Sequence, residues 1–110
     1  MSLTAGLLLL LVLALPLAFA IMRSNELFVL RAQSGKLELA RGRLPQALFS
    51  ELADVAARQR LDGLELRAVV EGGVPRLVVR GSISEAAEQQ LRNVLGRFRL
   101  TQIRSGRLRA

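Results

Sequence analysis

Two stretches, Ala40-Arg41-Gly42-Arg43-Leu44-Pro45-Gln46-Ala47-Leu48-Phe49-Ser50-Glu51-Leu52-Ala53-Asp54-Val55-Ala56-Ala57-Arg58 and residues 79–97, VRGSISEAAEQQLRNVLGR, align when one is shifted by 39 positions. Arg41 then falls on Arg80, Gly42 on Gly81, Leu52 on Leu91, Val55 on Val94 and Arg58 on Arg97. Each stretch reads as the end of a strand, a turn and a helix. Pro45 opens the first helix, because its missing N–H costs nothing in a first turn. Ser84 is a suitable N-cap for the second, with Glu85 and Glu88 set against the helix dipole. Leu48, Leu52, Val55 and Ala56 recur at helical spacing, as do Ala87, Leu91, Val94 and Leu95, so each helix has one apolar stripe.

Working outward, each helix is preceded by a hairpin. Leu27–Ala32 and Leu37–Gly42 flank Gln33-Ser34-Gly35-Lys36. Leu64–Val70 and Arg76–Arg80 flank Glu71-Gly72-Gly73-Val74, and paired glycines favour a primed turn. Centring the turns on Ser34-Gly35 and Gly72-Gly73 sets Arg31 opposite Glu38 and Glu65 opposite Arg80 on one face. Leu30 then faces Leu39, and Ala68 faces Leu77, on the other. The order ββα-ββα predicts an α+β domain with an internal duplication: a four-stranded antiparallel sheet with two helices on one face. The two registers put Arg41 and Arg80 on different faces, so either one hairpin carries a bulge, near Gly42, or the duplication is imperfect. Phe98–Ile103 is expected to form a last short strand, and residues 105–110 a frayed basic tail, so the domain is expected over 23–104.

Residues 1–22 have no charged side chain, and Leu3–Met22 reads LTAGLLLLLVLALPLAFAIM. Twenty helical residues span roughly 30 Å, the thickness of a hydrocarbon core, so the expectation is one transmembrane helix. Arg23, Arg31 and Lys36 follow it and nothing basic precedes it. That charge bias predicts a single-pass protein of the bacterial inner (cytoplasmic) membrane with its C-terminal domain in the cytoplasm. Ala18-Phe19-Ala20 supports an alternative, an exported soluble domain freed by signal-peptide cleavage after Ala20.

The chain carries a net charge of +7, and the excess is local. Residues 23–88 contain ten Lys/Arg and nine Asp/Glu; residues 89–110 contain six Arg and no acid. The candidate anion or lipid contacts are Arg41, Arg43, Arg97, Arg99, Arg104, Arg107 and Arg109. Arg41 and Arg43 flank a helix start, where backbone amides also favour an anion. Anionic lipid headgroups, an acidic protein and nucleic acid are the partner classes this charge admits. The few aromatics argue against a reader of single-stranded nucleic acid, which stacks bases on such rings.

Without His, Cys, Tyr or Trp, the chain lacks the usual general bases, thiol nucleophiles and zinc ligands. The serines have no imidazole to activate them, and the Gly72-Gly73 pair lacks the ending of a phosphate-binding loop. No catalytic residue, metal or cofactor is therefore expected. Arg41-Gly42-Arg43-Leu44-Pro45, Leu52 with Asp54-Val55, Arg76-Leu77 with Gly81, and Gln90-Leu91-Arg92-Asn93-Val94-Leu95-Gly96 resemble a bacterial family of short single-pass membrane proteins known only as a domain of unknown function. The resemblance implies a bacterial source and a membrane-anchored chain, and brings no activity. The expected function is a membrane-anchored, non-enzymatic interaction module with a basic cytoplasmic domain. A membrane-tethered nucleic-acid-binding domain is a further alternative.

Overall fold

A computed structural model describes residues 2–110, apart from the side chains of residues 18–24. Helix α1 (Leu3–Ser24) leads through Asn25 into strand β1 (Glu26–Gln33), which is followed by β2 (Lys36–Leu44), α2 (Gln46–Arg58), β3 (Leu64–Glu71), β4 (Val74–Arg80), α3 (Glu85–Gly96), α4 (Leu100–Arg104) and β5 (Leu108–Arg109). The described strands form one antiparallel sheet in the order β4-β3-β1-β2-β5.

Both hairpins have the register that the charge and apolar pairs require. Arg31 faces Glu38 and Leu30 faces Leu39; Glu65 faces Arg80 and Ala68 faces Leu77. Both turns have positive φ at their two central residues, Ser34-Gly35 and Gly72-Gly73, which matches the twist of the strands they join. The bulge is present. Leu30 pairs with Leu39 and Val29 with Arg41, so Ala40 is the extra residue. The bulge turns Arg41 to the face that Arg80 occupies. Gly42, at φ +85°, then passes so close to β1 that a Cβ would stand 2.2 Å from the Leu27 carbonyl oxygen.

The core lies between one sheet face and the helices. Phe28, Leu30, Leu66, Leu48, Leu52, Leu91 and Ile103 are fully buried there. The 39-residue shift carries the buried set of α2 (Leu48, Leu52, Val55 and Ala56) onto that of α3 (Ala87, Leu91, Val94 and Leu95). Ser84 caps α3 by accepting a hydrogen bond from the Ala87 N–H at 3.2 Å.

Four expectations are corrected. Among the described residues no helix is long and apolar enough to cross a membrane. This overturns the transmembrane helix over 1–22 and, with it, the single-pass inner-membrane placement with a cytoplasmic domain. The described side chains of α1 run from Leu3 to Leu17. They lie exposed, Leu3 at 89% and Leu17 at 64%. The proposed cleavage motif Ala18-Phe19-Ala20 falls outside the described side chains.

The sheet has five strands among the described residues, not four, because β5 extends it beyond β2. The expected strand over Phe98–Ile103 is instead the short helix α4, whose start is held by Gln102 Oε1 accepting the Arg99 N–H at 2.7 Å. The stretch read as a frayed tail, 105–110, contains β5. Ile103 is buried, Leu108 packs against the core, and Gly106 presses onto the Leu44–Pro45 backbone with no room for a Cβ.

Candidate functional site

The second face of the sheet carries neither α2 nor α3, and strand alternation fills it with charge. Because β1 pairs with both β2 and β3, the two hairpin charge pairs join into a single row across four strands: Glu38, Arg31, Glu65, Arg80. The next row reads Arg41, Val29, Arg67, Val78. Val29 is only 1% exposed although it lies outside the main core. Long arginine side chains such as its cross-strand neighbours Arg41 and Arg67 can cover apolar surface of this kind with their stems.

Ion pairs organise the centre of this face. Glu26 Oε1 is 3.2 Å from Arg41 Nε, and Glu26 Oε2 is 3.4 Å from Arg67 Nε. Arg67 Nη2 reaches Glu65 Oε1 at 3.1 Å. Arg67 thus bridges two carboxylates, and its Nε is buried without a hydrogen bond of adequate geometry. Glu65 is turned toward Arg67, so Arg31 and Arg80, its cross-strand neighbours, make no ion pair within 4 Å among the described residues. A depression of about 500 Å³ opens between the rows, lined by Arg31, Arg41, Arg67 and Arg80 with Glu38 and Glu65, and floored by Leu39 and Ala40.

The seven candidate arginines are divided by the fold. Arg41 and Arg43 lie on β2, on the helix-free face, and β5 brings Arg109 directly opposite Arg43. Arg97 ends α3 and pairs with Glu51 of α2 at 3.2 Å, in the helix layer. Arg99 and Arg104 bracket α4, and Arg107 lies in the link to β5. Arg31, Arg67 and Arg80 are the site residues that the sequence reading passed over. Their signal was present, since two of them are members of the hairpin charge pairs; the non-local β1–β3 pairing that aligns them is what local sequence does not state.

A family described as Protein of unknown function (DUF3634) matches residues 4–107. The chain belongs to this family. The match takes in both hairpins, their helices and α4, and the resemblance drawn from the sequence, to a domain of unknown function, holds at that level. No curated protein and no solved structure matches the chain. The family description names no activity, so the chemistry rests on the geometry. Guanidinium groups bind and orient anions but are poor proton acceptors, since they stay protonated. The carboxylates of the face are interleaved with them. Among the described residues no group of His, Cys, Asp or Glu could hold a metal ion.

Proposed function

We propose that this domain is a non-enzymatic binding module that docks an acidic protein segment on its helix-free sheet face. The observation that carries the reading is that, among the described residues, Arg31 and Arg80 line the depression without an ion pair, on a face with a cationic surplus. Leaving aside Lys36 and the neutral Arg76–Glu71 pair, six arginines (31, 41, 43, 67, 80 and 109) share the face with Glu26, Glu38 and Glu65, a balance of +3. Such a field speeds encounter with an acidic partner and selects against basic ones.

The interleaved glutamates favour protein over nucleic acid, because a continuous phosphate backbone would run past Glu38, Glu65 and Glu26. Among the described residues the face offers no ring for base stacking either: Phe28 is buried in the core, and Phe49 and Phe98 pack against it. The lipid reading of Arg97–Arg109 drew on a spanning tether and on a shared basic surface. The span is overturned, and Arg97 is already paired in the helix layer.

The test is anisotropy of a labelled glutamate-rich peptide with the full-length chain, kept dispersed by mild detergent because α1 exposes apolar surface. Binding should weaken with salt and fall severalfold in the Arg31→Gln/Arg80→Gln double variant. Arg92→Gln, which alters a helix-surface pair with Glu88, should leave it unchanged. Tighter binding of DNA or RNA than of the acidic peptide at equal salt would defeat the proposal.

A further inference from the structure

The short ladder that closes the sheet has an unusual composition. It contains two residue pairs, Arg43 with Arg109 and Leu44 with Leu108, followed by one hydrogen bond from the Ala110 N–H to the Gly42 carbonyl at 3.2 Å. Half of its cross-strand pairs is therefore cation against cation. Like charges placed directly opposite oppose pairing. Among the described residues neither guanidinium has a carboxylate within 4 Å, whereas nearby Arg41 has Glu26. Both side chains are exposed and lie on the same sheet face, opposite to the buried Leu44 and the half-buried Leu108.

We propose that Arg43 and Arg109 form a binding site for a phosphate-type oxyanion, and that its occupancy fastens the C-terminal strap, residues 106–110, onto β2. Directly paired residues of antiparallel strands have Cα atoms about 4.5–5.5 Å apart, so the two planar forks start within reach of one small ion. Each guanidinium can chelate two oxygens. A carboxylate has only two oxygens and satisfies one fork, while a phosphate has oxygens for both. The bound ion replaces a repulsion with two charge-assisted contacts that bridge the strands. The rest of the strap is already shaped for closure: Ile103 is buried and Gly106 fits against Leu44–Pro45. The anion acts only on the last, two-pair segment. This site is separate from the Arg31–Arg80 depression, but its two arginines count toward the positive balance of the same face, which a bound anion lowers.

The experiment is amide hydrogen exchange of the full-length chain in mild detergent, comparing inorganic phosphate with chloride at equal ionic strength. Phosphate should slow exchange at residues 108–110 saturably and leave Leu66, in the central sheet, unchanged. Glycerol phosphate distinguishes the sources: slowing by the monoester as well assigns a phosphate head on a larger molecule, and slowing by the free ion alone assigns inorganic phosphate. Arg43→Gln and Arg109→Gln should each abolish the response. In chloride, each should itself slow exchange of the strap about 1.4- to 5-fold, because the opposed charge is gone. That sign separates an anion site from a merely structural arginine, whose loss would speed exchange. Equal slowing by chloride, a phosphate response that survives both substitutions, or faster strap exchange in the variants would each overturn the proposal.

Discussion

Replacing Gly42 by Ala tests how the charged face is built. At this position φ is +85°, and a Cβ would lie 2.2 Å from the Leu27 carbonyl oxygen and 2.7 Å from the Phe28 Cα. Both neighbours are backbone, so no side chain can swing away. Ordinary contact begins near 3.4 Å, and β1 and β2 must therefore part by about 1 Å at the bulge. Left-handed geometry costs a residue with a Cβ about 1–2 kcal/mol. Weakening the two or so ladder hydrogen bonds next to the bulge adds about 0.5–1.5 kcal/mol each. The expected loss is about 2–5 kcal/mol, a large share of the roughly 5–10 kcal/mol available to a domain of this size. Urea or thermal unfolding of the full-length chain measures it, with a fall in Tm of at least about 8 °C expected. Gly72→Ala is the control, because Gly72 has φ +60° and open space around its Cβ position; it should cost only about 1 kcal/mol. If Gly42→Ala is no worse than Gly72→Ala, the close approach of the strands at the bulge is not what holds this part of the sheet.

Other outcomes follow from burial and pairing. Leu52→Ala and Leu91→Ala, at equivalent fully buried positions, should each destabilise by roughly 2–5 kcal/mol in denaturant unfolding. Ser84→Ala should cost about 1 kcal/mol through loss of the α3 cap, while Arg92→Gln on the same helix should change stability by less than about 0.5 kcal/mol. Glu26→Gln leaves Arg67 with Glu65 alone and Arg41 with no ion pair among the described residues, so it should tighten binding of an acidic peptide while lowering stability by about 1 kcal/mol, read by anisotropy and urea unfolding together.

Local pattern carried much of this fold. The apolar runs in LFVLRA and RLVVR, the turn glycines and the period of Leu48-Leu52-Val55 specify each hairpin and helix within about twenty residues, and the hairpin registers follow from charge pairing. The conflict between those registers admitted a bulge near Gly42 or an imperfect duplication, and the structure has the bulge, at Ala40. What the sequence did not show is non-local. The pairing of β1 with β3 turns two separate Arg–Glu pairs into one row, and nothing near Arg31 announces Glu65. The strap was misread because Ser105-Gly106-Arg107 looks like a polar tail. Its order comes from Ile103 and Leu108 meeting a core built sixty residues earlier, and from Gly106 fitting the Leu44–Pro45 backbone. The candidate arginines were chosen by density along the chain, which favoured 97–109 over the more dispersed residues 31, 67 and 80. Helix α1 reads as a span from its apolar length and the cations that follow it, yet among the described residues no helix is long and apolar enough to cross a membrane.

The most direct test of the docking face is an NMR titration of the full-length chain with a glutamate-rich peptide, following backbone amides and arginine Nε–H signals. The account predicts shifts concentrated at Arg31, Arg67 and Arg80 and along β1, β3 and β4, with α2 and α3 unmoved. Shifts centred on Arg92 and Arg97 of the helix layer, or none at all under low salt, would contradict it.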